Sequence, residues 1–230
     1  MKLIGLIGGM SWESTSHYYK MLNETIKEKL GGLHSARCII YSVNFDEIER
    51  YQANGEWDKS AKVLTEAAQG LERAGADYIA ICANTMHKVA PQIQSGISIP
   101  IIHIATETAN FLKKNEINKV GLLGTIYTME QDFIKQVMVD NGIEVIVPSA
   151  QDRLIVNDVI YNELCLGKIR DESRREYLRI IDDLSEHGAQ GVILGCTEIG
   201  MLVEPKHTTV PLFNTTEIHA RRLAEMSIEP

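Results

Sequence analysis

The chain has 230 residues, 44% of them hydrophobic and 23% charged, with a net charge of −8. That length supports one large or two small domains with a proper core, and the composition is that of an ordinary globular protein. The acidic balance argues against a tracker of nucleic-acid phosphates, which needs a basic face, yet it leaves room for anionic ligands, since a few oriented backbone N–H groups outweigh global charge locally.

The first apolar run, residues 2–7, is too short for a signal-peptide core or a membrane span and leads at once into Gly8-Gly9 and polar residues. It predicts a buried first strand rather than a targeting segment. A helix over 14–29, a strand over 36–42, a helix over 60–74 and a strand over 78–81 follow. Next come a strand over 101–103, a helix over 107–114, a strand over 119–123, a helix over 130–140 and a strand over 144–147. Helices over 155–164 and 174–187 and strands over 191–194 and 212–213 complete the series. Short β-branched runs alternating with helical patterns predict an α/β protein with parallel sheets. Gly75-Ala76 and Gly188-Ala189 read as helix stops that feed strands. The four cysteines, Cys38, Cys82, Cys165 and Cys196, have no CxxC spacing. That argues against a zinc site or a disulfide framework and for a reducing, cytoplasmic setting.

The chain also repeats itself. Ile4-Gly5-Leu6-Ile7-Gly8-Gly9 matches Val120-Gly121-Leu122-Leu123-Gly124-Thr125 at an offset of 116 (121 − 5). The stretch 74–85 aligns without a gap to 187–198 at an offset of 113 (188 − 75), and 99–103 aligns to 210–214 at 111 (211 − 100). Three blocks in one order at nearly one spacing predict two pseudo-symmetric three-layer lobes with parallel sheets, residues 1–115 and 116–212, and an active-site cleft between them. The last helix, 215–230, is expected to pack back on the first lobe. Ligands in open parallel sheets sit beyond the carboxyl ends of strands, and each repeated block puts a polar cluster at such an end.

Cys196 follows the apolar strand and Gly195, and Thr197-Glu198 stands where a helix would begin. Free N–H groups there would stabilise a thiolate fit to act as nucleophile or base; the alternative is a small buried residue filling the turn. Asn84 and Thr85 lie at the matching point of the first lobe, suited to holding a carboxylate or to capping a helix. Neither a G-x-G-x-x-G fingerprint nor a G-x-x-x-x-G-K-[ST] loop occurs, so nicotinamide, flavin and nucleotide cofactors have no support. No lysine stands in a context that marks a pyridoxal Schiff-base site. Among the histidines available for proton traffic, His87 follows Asn84-Thr85 by less than one helical turn and is expected to line the site, whereas His103 reads as structural and His219 is undecided. Nothing points to a metal, nucleic-acid or membrane partner.

Gly8-Gly9-Met10-Ser11-Trp12-Glu13-Ser14-Thr15, Asn84-Thr85-Met86-His87, Gly124-Thr125 with Tyr127-Thr128-Met129, and Gly195-Cys196-Thr197-Glu198 resemble the aspartate/glutamate racemase superfamily. The resemblance covers essentially the whole chain and is strongest to the branch that includes the enterobacterial aspartate/glutamate racemases. It implies two pseudo-symmetric lobes, a small amino-acid substrate, no pyridoxal phosphate or other cofactor, and a homodimer. In that family two cysteines, one per lobe, flank the substrate α-carbon: one takes the α-proton and the other delivers a proton to the opposite face. By the same resemblance Ser11, Asn84, Thr85, Thr125 and Thr197 hold the α-carboxylate and ammonium. Met10 and Glu198 line the substrate, and Gln52 and Lys168 meet its side chain.

One departure is sharp. The residue before the Asn-Thr pair is cysteine in two-thiol enzymes and is Ala83 here; the internal repeat agrees, since Ala83 aligns with Cys196. Cys82 is one residue early, and a one-residue shift on a strand turns a side chain to the other face. Three outcomes follow: a racemase biased to the L-enantiomer with water or Thr85 reprotonating the other face, an engineered Ala83 that silences one half-reaction, or a protein that binds acidic amino acids or dicarboxylates without turnover. Maleate-isomerase-like and decarboxylase enzymes of the superfamily stand as further alternatives.

Overall fold

The computed structural model describes residues 1–229 and divides into two compact units: Met1–Ile104 with the chain from His219 onward, and Ala105–Ile218. The first unit contains strand β1 (Ile4–Gly8), helix α1 (Trp12–Leu30), β2 (Cys38–Ser42), α2 (Phe45–Ala53), α3 (Trp57–Arg73), β3 (Tyr78–Ile81), a 3-10 turn (Thr85–Val89) and α4 (Ala90–Ser95). The chain then runs through α5 (Ile104–Lys114), β4 (Lys119–Leu123), α6 (Ile126–Glu130), α7 (Asp132–Asp140), β5 (Glu144–Ile146) and α8 (Ala150–Asn162). It continues with α9 (Asp171–Glu186), β6 (Val192–Leu194), α10 (Ile199–Leu202) and β7 (Leu212–Asn214). The last helix, α11 (Thr215–Ile228), starts in the second unit, and its residues from His219 belong to the first. The units part at Ile104/Ala105, ahead of the body of α5.

Both sheets are parallel, ordered β2-β1-β3 in the first unit and β5-β4-β6-β7 in the second. Strands buried on both faces read as continuous apolar runs, and β1 is buried along its whole length. In the first unit alternate residues divide between two cores. Ile7, Ile79 and Ile81 pack with Leu64, Ala68 and Leu71 of α3. Ile4, Leu6, Tyr78, Ala80 and Cys82 pack instead with Tyr18 and Leu22 of α1 and Leu223 of α11. The Tyr78 hydroxyl donates to the Leu223 carbonyl (2.6 Å), and the Lys2 N–H to that of Ser227 (2.7 Å), so α11 is fastened to this sheet by hydrogen bonds as well as by apolar area. The second unit has its own core, in which Leu123, Val192 and Leu194 meet Tyr177, Ile181 and Leu184 of α9.

The sequence repeat has a direct physical counterpart. A Cβ placed on Gly5 of β1 would lie 2.8 Å from Ile79 Cδ1 and 3.3 Å from Leu71 Cβ, and one on Gly121 of β4 would lie 2.8 Å from Leu184 Cδ1 and 3.1 Å from Val192 Cγ2. Each central strand thus gives up a side chain so that its covering helix can lie close. Both helices then end alike. Gly75 and Gly188 have φ +91°, and the next N–H returns to the helix in each case: Ala76 to Leu71 O (3.1 Å) and Ala189 to Leu184 O (3.1 Å). This left-handed stop is open to glycine at no steric cost.

The expected strand over 101–103 is reduced to a single bridge, Ile79↔Ile101. Ile79 N–H donates to Pro100 O (2.9 Å), as Val192 N–H does to Pro211 O (2.8 Å) in the second unit. There β7 pairs on as far as Leu194↔Asn214; in the first unit the His103 ring packs against the His87 ring, with centroids 4.5 Å apart. No helix among the described residues is long and apolar enough to cross a membrane.

Candidate active site

In the first unit the ends of β1 and β3 lie side by side, because Cys82 N–H donates to Ile7 O (2.9 Å). Beyond β1 the chain turns at Gly9, with φ +93°, where a Cβ would come within 2.2 Å of the Val43 carbonyl oxygen. Met10 is buried. Ser11 caps α1, its hydroxyl accepting from the Ser14 N–H (3.3 Å), and Thr15 Oγ1 accepts from the Gly9 N–H (2.8 Å) while donating to the Ser11 carbonyl (3.0 Å). The Ser14 hydroxyl donates to Cys82 O (3.3 Å), tying the α1 start to the end of β3. Asn84 and Thr85 follow, both buried, at the entrance to the 3-10 turn. Gln52, at the end of α2 and also buried, directs its amide onto Met86 Sδ (2.8 Å). Met10, Ser11, Gln52, Ala83, Asn84 and Thr85 therefore belong to one strand-end region of the first unit. Ala83 and Cys82 face opposite cores: Ala83 packs with the α3 side and Cys82 is fully buried on the α1 side, where burial pushes its thiol far up.

In the second unit the ends of β4 and β6 are joined in the same way, by the Gly195 N–H donating to Leu123 O (2.7 Å). Thr125 caps α6, its hydroxyl accepting from the Thr128 N–H (3.3 Å). Cys196 is half-buried, and its thiol donates to the buried Glu198 carboxylate, Sγ to Oε2 at 2.9 Å. Thr197 Oγ1 and Thr216 Oγ1 are hydrogen-bonded at 2.8 Å. Thr125, Cys196, Thr197 and Glu198 form one strand-end region; Lys168 is exposed in the segment after the 3-10 turn Leu164–Leu166, its N–H donating to Glu163 O (2.9 Å).

The electrostatics at Cys196 differ from those expected of a thiol at a helix start. The helix that follows, α10, spans only Ile199–Leu202, too short for an appreciable dipole. Burial first, and then the Glu198 carboxylate, push the thiol well above its ordinary value, with Cys165 adding to the effect. Cys196 thus rests as a thiol with its proton aimed at a carboxylate. Removal of that proton is coupled to Glu198 accepting it or to a cation arriving nearby. Cys165 packs on the same buried cluster as Cys196, a proximity that the spacing of 31 residues (196 − 165) does not announce.

His87 is buried with both ring nitrogens committed to the backbone. Nε2 accepts from the Ile104 N–H (3.1 Å), so Nδ1 carries the proton and donates to Ala83 O (2.9 Å). His219 takes the opposite tautomer: its Nε2–H donates to Ile102 O, and Nδ1 accepts from the Tyr18 hydroxyl, both at 2.9 Å. Burial holds all three neighbouring histidines neutral, His103 at about 4, His219 at about 3 and His87 well below its ordinary value. His87, expected to line the site, instead braces the Ala83–Thr85 turn from behind. Sequence reading passed over Lys88, whose ammonium lies 4.1 Å from the centre of the Trp57 ring; those residues are 31 positions apart (88 − 57), beyond any local pattern. Among the described residues no group of three His, Cys, Asp or Glu side chains is arranged to hold a metal.

Known proteins share this fold. A candidate Asp/Glu racemase from Yersinia pestis, solved by crystallography, is 52% identical, with a TM-score of 0.92 and full coverage of both chains. An aspartate racemase homologue from Pyrococcus horikoshii OT3 is 38% identical, with a TM-score of 0.86 and again full coverage of both. The broad specificity amino-acid racemase RacX of Bacillus subtilis is 24% identical over 229 residues, spanning 95% of each chain. Residues 7–223 match the Asp/Glu/Hydantoin racemase family, and the chain belongs to that family of isomerases as an amino-acid racemase.

Proposed function

We propose that the chain racemises acidic amino acids without pyridoxal phosphate, with Cys196 as the acid/base and a bias towards the L-enantiomer. The observation that carries this reading is the Cys196–Glu198 hydrogen bond of 2.9 Å at the end of β6. The Cys196 thiol passes its proton to Glu198, and the thiolate takes the α-proton of the substrate. The electron pair left on the α-carbon is delocalised into the α-carboxylate, which Ser11, Asn84, Thr85, Thr125 and Thr197 hold together with the ammonium. Water or the Thr85 hydroxyl then returns a proton to the other face of the α-carbon. An amino-acid α-proton is a weak acid, so hydrogen bonds that strengthen as charge builds on the carboxylate supply much of the rate. At the position equivalent to Cys196 the first unit offers only the methyl group of Ala83, which supports unequal handling of the two enantiomers. Four cysteines outside any disulfide support a reducing, cytoplasmic setting.

Relatedness to RacX raises a second reading, in which the side-chain pocket admits many amino acids. One experiment addresses both. L- and D-Asp, L- and D-Glu and a panel of neutral amino acids are incubated in deuterium oxide, with α-proton loss followed by NMR and optical inversion by circular dichroism. Exchange of L-Asp or L-Glu ahead of the D-forms is expected, and Cys196→Ser should lower it about 1,000-fold or more, within the range for loss of an acid/base group. Absence of exchange with every amino acid would sink the racemase reading, and equal rates across the panel would replace acidic specificity with broad specificity.

A further inference from the structure

The first-unit residues assigned to the substrate, Met10, Ser11, Gln52, Ala83, Asn84 and Thr85, carry no positive charge. An amino acid with a second carboxylate needs a counter-charge in such a region, since a buried carboxylate without one is strongly disfavoured. The 3-10 turn that follows supplies a cation in a defined direction. In a 3-10 helix side chains three apart eclipse one another. Met86 and Val89 share one side of the turn, both 0% exposed in the core. His87 is spent on the backbone at Ala83 and Ile104. The remaining side pairs Thr85 with Lys88, which places the two residues on one side of the turn.

Lys88 is also pre-positioned. Its ammonium sits 4.1 Å from the Trp57 ring centre, and Trp57, the first residue of α3, packs against the same core as Met86 and Val89. A cation over the face of an indole is held electrostatically. It thereby loses less freedom on meeting a ligand than a free lysine would. Lys88 is half-buried, and burial draws it below the ordinary lysine value.

We infer that Lys88 is a specificity-determining residue whose ammonium, aligned by Trp57, receives the side-chain carboxylate of an acidic amino-acid substrate beside Gln52. This rests on the reading that the Ala83–Thr85 turn holds an amino acid. Gln52 supplies a neutral amide and Lys88 the charge that separates aspartate or glutamate from asparagine or glutamine.

The test compares wild type, Lys88→Met and Lys88→Arg on L-Asp, L-Glu, L-Asn and L-Gln, by α-proton exchange and by calorimetric binding, with thermal melts to confirm folding. Lys88→Met keeps an apolar stem for Trp57 and removes the charge. It should lower kcat/KM for the acidic pair about 30-fold, as for truncation of one partner of a charge pair, mainly through KM. The amides, which bring no second carboxylate, should change less than about threefold, and Lys88→Arg should restore most of the acidic preference. A parallel loss on acids and amides, or no loss on acids, would overturn the assignment to Lys88 while the wild-type rates leave the racemase reading standing. Should the wild type exchange nothing, that reading fails by itself and binding decides for Lys88: a preference for L-Asp over L-Asn that Lys88→Met erases supports it, whereas equal binding or none overturns it.

Discussion

The strand ends after β3 and after β6 occupy equivalent places in a repeated fold and are built from opposite materials. After β3 the chain places Ala83 under the buried imidazole of His87, which donates to its carbonyl. After β6 it places a thiol beside a carboxylate, and the Cys196 carbonyl accepts from the Ile199 N–H (3.1 Å). The residue matching His87 at the offset of 113 is Gly200, where a Cβ would stand 2.6 Å from Asn214 Nδ2. The first unit thus fixes its turn with uncharged ring–backbone hydrogen bonds, and the second packs Asn214 against Gly200 there and directs a thiol proton at a carboxylate. On the proposed reading the duplication separates holding from proton transfer: one copy orients the substrate and the other reacts with it.

The sharpest way to break this contrast is at Glu198. Replacement by Gln removes the acceptor of the Cys196 proton, and exchange should fall about 100-fold, the scale of a lost general base. The same change removes a charge that raises the thiol, so Cys196 should carry more thiolate at pH 8 and react faster with iodoacetamide. Slower exchange together with slower alkylation would show that Glu198 only supports the fold.

A smaller effect is expected from making the two ends alike. Ala83→Cys should raise racemisation about tenfold, at the low end of acid/base contributions, and extend exchange to the D-enantiomer. Unchanged rates would show that equivalence of the strand ends does not extend to chemistry.

The contrast also extends to acid. The folded-state imidazoles of His103 and His219 titrate near 4 and 3, against 6.5 for ordinary histidine. Between pH 6.5 and those values the unfolded chain binds protons that the folded chain excludes, so stability is full above that window and falls as pH falls through it. Each pKa unit is worth about 1.4 kcal/mol. At the points matching His87 and His103 the second unit has Gly200 and Asn214, which do not titrate. Hydrogen exchange at pH 5 and 7, corrected for the intrinsic rate, should therefore show first-unit amides around 79–87 losing protection ahead of those around 192–200. Equal loss in both units would remove the histidines as the cause.

Much of the fold was legible because duplicated segments carry duplicated physics. The glycine–alanine stops, the strand glycines under Leu71 and Leu184, and the proline carbonyls that receive Ile79 and Val192 are all visible as repeated letters. Short elements such as α2, α4 and α6 escaped, since nine, six and five residues give too few turns for a periodicity to stand out. At the site, Cys196, Glu198 and the Ala83 departure are adjacent in sequence or aligned by the repeat, and so could be named. The brace from His87 to Ile104, the Trp57 platform under Lys88 and the Cys165 neighbour depend on contacts between separated segments. The raised thiol depends first on burial, which is not written in the local motif, and then on Glu198, which is.

The hydrogen bonds of α11 to the first sheet also set an order of completion during synthesis. His219, Leu223 and Ser227 supply the partners of Ile102, Tyr18, Tyr78 and Lys2. All residues of the second unit, Ala105–Ile218, leave the ribosome before these do. A nascent chain folds segment by segment as it emerges. The first unit must therefore wait, with the α1 face of its sheet uncovered by α11, until the second has been fully made.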